Sequence, residues 1–222
     1  LELGVGIGAY REEFEALQPG ERTPRGKIVE EGVRALQKLF TDDRATFNGE
    51  FFRYKDVELF PKPLQERIPI YFGGNNVNQL YRTATLGDGW LPAGLPLDRI
   101  TADIVHLRQL CTNAGRDFSE IAIAPQYIAL VDHNHDRAVA RFTSSQMHKH
   151  LVSLTQSTLK EQAGVSMEDA NLVGTPAEVV EKAQALKAAG VTHLLGLYFA
   201  VNTAEELLDQ MTLFAEEVAP RL

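Results

Sequence analysis

The chain has 222 residues, 44% hydrophobic and 23% charged, which suits one globular domain with a substantial core. A formal net charge of −8 argues against a nucleic-acid surface and against an anionic-membrane surface, but leaves room for a local basic pocket that takes one phosphate. The single cysteine, Cys111, excludes intrachain disulfides and cysteine-built zinc sites, and no apolar run approaches the ~18 residues of a membrane span.

Leu1 to Ile7 reads as a strand studded with Gly4 and Gly6 and followed by Gly8. These residues carry neither a basic leader nor a cleavage-type signal, so a cytoplasmic location is the expectation. Thr23 as N-cap and Pro24 at the first helical position open a helix with an apolar face of Ile28, Val29, Val33, Leu36 and Leu39. After Asp42-Asp43, ATFNGEFFRYKDVELFP sets Asn48-Gly49 among aromatic and β-favouring residues, which predicts an inserted excursion of short strands over residues 45–60.

Ile68 to Phe72 predicts a strand that breaks into Gly73-Gly74, passes Asn75-Asn76 and feeds a helix around Gln79 to Leu86. Glycines let a ligand come close, and asparagines cap exposed N–H groups at a helix start. Such a junction is a natural seat for an anion, usually a phosphate; on these residues alone a tight βα turn is an equal reading.

Gly89 to Ala93 then leads into a helix from about Leu97 to Ala114, stopped at Gly115. Ile121 to Val131 reads as one long strand, followed by a helical stretch from Asp136 to roughly Gln162. In GTPAEVVEKAQALKAAG, Thr175 caps, Pro176 opens, Glu178 completes a capping box and Gly190 ends the helix. His193 to Phe199 is the last strand. The helix from Ala204 to Val218 repeats the capping box with Thr203 and Glu206 and stops at Pro220. Five strand-helix units predict parallel α/β architecture, either an open doubly wound sheet or an eight-stranded barrel. GVGIGAYREEF lacks the third glycine of a dinucleotide fingerprint, and no acidic residue ends a following strand at the expected distance.

Asp132, His133, His135 and Asp136 have the look of a metal site after a strand. Such a site needs further histidines and a carboxylate from other strand ends. His193 begins a strand rather than ending one, and His106, His148 and His150 fall on predicted helices. The expectation is no metal, with a solvated turn and helix-capping acids there. Cys111 reads as a packed thiol.

LELGVGIGAYREEFEAL, GEFFRYKDVELFPKPLQ, IPIYFGG, LGDGWLP and LVGTPAEVVEKAQALKAAGVTHL occur in that order. Together they resemble the luciferase-like monooxygenase superfamily over nearly the whole chain. The GxGxYxxEF and GDGWLP forms are most similar to its deazaflavin-dependent oxidoreductases. The resemblance implies a (β/α)8 TIM-barrel type fold, of which this chain supplies the C-terminal portion, about strands four to eight, with the short β insertion. Residues 1–222 would form one such domain, N-terminally incomplete; a preceding segment, a partner or a second copy in a homo-oligomer would cover the gap.

The resemblance further implies an oxidoreductase or monooxygenase that uses FMN or a deazaflavin (coenzyme F420) on a small organic substrate, with no nucleic-acid or membrane partner. Gly6, Ile7, Gly8 and Ala9 match the turn after the family's fourth strand, where small residues admit a planar ring; packing between strands is the structural alternative. Tyr10 matches an aromatic position beside the cofactor or is an ordinary half-buried tyrosine. Gly73, Gly74, Asn75 and Asn76 match the phosphate-binding turn after strand five, where family members often carry an acid and a serine in place of the two asparagines. Trp90 flanks the flavin or belongs to the core. No catalytic residue is named, because the family's catalytic groups often lie on its first three strands. A non-catalytic binding protein of the same fold is the alternative function.

Overall fold

The computed structural model describes residues 1–8, 11–17, 24–155 and 164–222. β1 (Leu3–Val5), α1 (Arg11–Leu17) and α2 (Arg25–Thr41) come first. A hairpin of β2 (Ala45–Asn48) and β3 (Arg53–Val57) follows, then β4 (Ile70–Gly73), α3 (Val77–Leu86), β5 (Gly89–Leu91) and α4 (Leu97–Asn113). The second half holds β6 (Ala122–Ile123), β7 (Gln126–Val131), α5 (His135–Ser144), α6 (Gln146–Leu154), β8 (Leu172–Gly174), α7 (Pro176–Ala189), β9 (Gly196–Phe199) and α8 (Ala204–Leu213).

The main strands run parallel. One sheet has the order β1-β4-β5-β6, and β7 pairs with both β8 and β9. A bridge between Ala93 and Gln126, and the Thr192 N–H donating to the Ile123 carbonyl at 2.9 Å, join the two sets. The predicted strand from Ile121 to Val131 is therefore two short strands in one position. Pro125 lies between them and has no N–H to give the ladder. β8, just before the Thr175 cap, was not expected.

The sheet is strongly curled. The rings of Tyr71 on β4 and His193, just before β9, meet edge-on with centroids 6.0 Å apart. Three strand spacings separate those positions, about 14 Å in a flat sheet. Among the described residues no strand pairs with the outer edge of β1 or β9.

Helices cover the convex face. Val33 of α2 packs on Ile70 and Phe72, while Leu80, Ile104, Leu107 and Val179 from α3, α4 and α7 enclose Trp90 and Ile123. Each such side chain contributes roughly 1.5–3 kcal/mol through burial. On the other face of β7, the side that carries Gln126, α5 packs Ala138 and Phe142 against Ile128, Leu130 and Val173.

Helix boundaries follow local chemistry. Pro24 stands at the N-cap of α2, and Thr23 lies outside the described residues. Ser145 breaks the helix expected from Asp136 onward: it ends α5 and caps α6 by accepting from the His148 N–H. The Thr175–Glu178 capping box forms in full, and Gly190 closes α7 with φ +112°. The last helix is α-helical to Leu213 and widens to a π turn over Phe214–Val218. The 45–60 excursion is the antiparallel β2-β3 hairpin, held to α2 by the Glu31 carboxylate, which accepts from the N–H groups of Glu50, Phe51 and Phe52.

Candidate functional site

The C-terminal ends of β1, β4 and β5, with the start of α2 and one side of α6, enclose an open cavity of about 1070 Å³. Gly6, Ile7, Gly8, Gly73, Gly74, Asn75 and Asn76 all border it. Ala9 and Tyr10 lie outside the described residues.

The turn after β4 is fixed at every position. Gly74 has φ +116°, which disfavours any side chain there; its N–H donates to the Leu91 carbonyl at 3.0 Å. Its carbonyl accepts from Trp90 Nε1 at 3.0 Å. Asn75 Oδ1 accepts from the Ala93 N–H at 2.9 Å, and its Nδ2 is buried without a hydrogen-bond partner among the described residues. Asn76 Oδ1 caps α3 by accepting from the Asn78 N–H at 2.9 Å. The two amides thus differ: Asn76 completes the helix start, whereas Asn75 keeps a buried donor to spare. A Cβ on Gly6 would meet nothing within 4 Å, so Gly6 opens onto the cavity and does not serve strand packing.

Trp90 does not flank the cavity. Strand side chains alternate between faces, and β5 turns Leu91 to the cavity and Trp90 outward into the helix layer, fully buried. It reaches the site only through the Gly74 carbonyl.

A second set of residues at this end was not anticipated. Pro24, Arg25, Gly26 and Lys27, at the start of α2, border the cavity beside Gln79 and Arg82. Among the described residues no side chain caps α2, and its first intrahelical bond runs from the Ile28 N–H to the Pro24 carbonyl. Arg25 Nη1 donates to the Gly8 carbonyl at 3.2 Å. Arg82 is held by Glu30 at 2.9 Å and by Gln79 Oε1 at 3.2 Å. Two helix N-termini and two arginines converge here, which is the electrostatics of an anion seat. The sequence did carry a signal: Arg25 and Lys27 stand in the first turn of α2, where cations oppose the helix dipole unless an anion joins them.

The opposite wall is apolar, with Met147, Leu151 and Leu154 of α6 and Met167, and Gln126 and Tyr198 add polar groups at strand level.

The residues after β7 form a salt-bridged turn. Asp132 is bound by Arg137 at 2.5 Å and Arg141 at 3.4 Å, and the Arg137 hydrogen bond takes its carboxyl down to about 2. The cap of α5 is Asn134, not one of the acids. His133 faces Glu217 and His135 faces Glu178, and among the described residues no three metal-ligating side chains cluster. Cys111 is buried, and burial pushes its thiol up. No described helix is long and apolar enough to cross a membrane.

The family model for luciferase-like monooxygenases matches residues 1–193. An FMNH(2)-dependent dimethylsulfone monooxygenase of Pseudomonas putida is 28% identical over 218 residues, covering 88% of this chain. The chain spans 60% of that relative's length. An F420-dependent glucose-6-phosphate dehydrogenase of Segniliparus rotundus is 26% identical, with 99% of this chain and 68% of the relative aligned. Among solved structures, the monooxygenase RslO1 of Streptomyces bottropensis superposes with a TM-score of 0.78 at 22% identity, over 99% of this chain and 68% of its own. The fold is that of the luciferase-like (β/α)8 barrels.

Proposed function

The chain belongs to the luciferase-like monooxygenase family, and on that premise we propose that its cavity binds a phosphorylated flavin-type cofactor, FMN or a deazaflavin, in an oxidoreductase acting on a small organic molecule. When bound, such a cofactor supplies hydride transfer or oxygen activation. The observation that carries this reading is the convergence of the α2 and α3 N-termini, Arg25, Arg82 and the spare Asn75 donor on one end of the cavity.

Each residue has a distinct role in it. The first turns of α2 and α3, with Arg25 and Arg82, hold the phosphate by charge and by N–H donation. Asn75 Nδ2 donates to it, satisfying a group otherwise buried without a partner. Gly6 leaves the space that a planar ring needs against β1. Trp90, through Gly74, keeps the turn from moving when the ligand arrives.

The test is a titration of the intact protein with FMN, riboflavin and coenzyme F420. FMN binds about ten- to a hundredfold more tightly than riboflavin, the worth of charge-assisted hydrogen bonds to the phosphate. Asn75→Asp keeps the acceptor for the Ala93 N–H, removes the spare donor and weakens FMN while leaving riboflavin nearly unchanged. Equal affinities for FMN and riboflavin would remove the anion seat, and binding of none of the three would remove the cofactor reading.

A further inference from the structure

The wall facing the anion seat combines two unlike surfaces. Met147, Leu151 and Met167 present carbon and sulfur to the cavity, while Gln126 of β7 and Tyr198 of β9 form a polar pair at strand level. Tyr198 donates its hydroxyl to Gln126 Oε1 at 3.2 Å. With the carbonyl side of the amide engaged and no partner for Nε2 among the described residues, its Nε2 donors remain for a ligand.

This pair is a built feature. Gly196 stands opposite Gln126 in the β7-β9 register. A Cβ there would lie 2.8 Å from Gln126 Cγ and 3.1 Å from Tyr198 Cε2. The backbone of Gly196 is not left-handed, so the glycine is required by space alone. A glycine inside a strand weakens it, and what this one admits is the Tyr198 ring lying across to Gln126.

Charge is divided along the cavity. Arg25, Lys27 and Arg82 all stand at the anion end; on the opposite wall the titratable residues among those described are Tyr127, His150 and Tyr198. β7 is two strand positions from β4, about 10 Å away, so a ligand anchored in the anion seat leaves Gln126 to a second molecule or to its own far end.

We propose that the substrate is a neutral, largely apolar molecule bearing one hydrogen-bond-accepting oxygen. Its carbon frame rests on Met147, Leu151 and Met167, and its oxygen is held by Gln126, with Tyr198 as the positioning residue that fixes the amide. Among the described residues a carboxylate substrate finds no fixed cation on this wall. The assignment rests on the cofactor reading above, since the cofactor occupies the cationic end.

The probes are 2-octanone, its isostere 2-methyl-1-octene, which has a methylene in place of the oxygen, and octanoate, each titrated into the intact protein preloaded with FMN or coenzyme F420. The wild type binds the ketone about tenfold more tightly than the alkene, the worth of one hydrogen bond from the half-buried Gln126 amide, and more tightly than octanoate. Gln126→Leu erases the ketone preference and leaves cofactor affinity and alkene binding in place. Tyr198→Phe keeps the ring over Gly196 and lowers the ketone-to-alkene ratio by a smaller factor. A merely structural role would weaken ketone and alkene together, and that result overturns the proposal. So does a wild type that binds ketone and alkene equally or prefers octanoate, which needs no variant to fold. Failure to load either cofactor would instead remove the cofactor reading, and this proposal with it.

Discussion

Trp90 Nε1 donates to the Gly74 carbonyl across 3.0 Å, from a side chain with no exposed surface to a turn that borders the cavity. The only tryptophan of the chain therefore acts on the site from behind, as part of the helix-covered core. Trp90→Phe keeps an aromatic ring in the core and leaves the Gly74 carbonyl without its donor. The expected cost is about 1–3 kcal/mol. Urea unfolding should show a lower midpoint with an unchanged slope.

Gly6 and Gly74 should respond in opposite ways to alanine. At Gly6 the new methyl group meets no atom within 4 Å and occupies cavity space, so melting temperature holds while FMN affinity falls. At Gly74 the φ of +116° makes alanine strained, so stability falls by about 1 kcal/mol or more before any ligand is added. Thermal melts and FMN titration of both variants check this. A Gly6→Ala protein with unaltered FMN affinity would place the ring elsewhere.

Asp132 sets an acid limit on stability. Its folded value of about 2 lies below its ordinary 3.8, chiefly because Arg137 donates to it, with Arg141 adding to the effect. A depressed carboxyl stabilises the fold fully above its unfolded value and loses that contribution as pH falls from about 4 through about 2. The shift corresponds to about 2 kcal/mol at neutral pH. Asp132→Asn should lower stability above pH 5 and flatten the acid limb of a stability-against-pH curve. A variant whose pH profile parallels the wild type would show that the pair contributes nothing net.

Lys182 ties together the stretch before β8. Its Nζ donates to the carbonyls of Glu168, Asn171 and Val173 at 3.0, 3.3 and 3.1 Å, and burial lowers its pKa. Asn171 in turn donates to the Met167 carbonyl and accepts from the Ile128 N–H, so the knot supports the apolar wall of the cavity. Lys182→Met retains the stem and strips the donor from three carbonyls. We expect a loss of about 1–3 kcal/mol and faster hydrogen exchange at the Ile128 amide.

Much of this protein could be read directly along the chain. The capping signals are local, because a cap bonds a backbone group three residues away: the Thr175–Glu178 box forms in full and Thr203 caps α8 by accepting from the Glu206 N–H. The expected second box stays open, because the Glu206 carboxylate accepts from the Asn202 N–H and not from that of Thr203. The glycine-asparagine turn after β4 was equally plain, since positive φ and helix capping are properties of neighbouring residues. The motifs in their order pointed to the luciferase-like family, and the family model bears that out.

What the chain order could not determine is what converges. That Arg25 and Arg82, 57 positions apart, flank the same turn follows from α2 and α3 both starting at the C-terminal end of neighbouring strands. The face that Trp90 takes depends on the register of β5 against β4, because a one-residue slip would have turned the indole into the cavity. Likewise, the pairing of Gln126 with Tyr198 exists only because β9 returns beside β7 with Gly196 at the crossing. Sequence by itself determined the local conformations and the family, since both are written in nearby residues. Tertiary structure alone decided which side chains share the cavity, since that depends on strand register and sheet curl, which arise from contacts between residues distant in the chain.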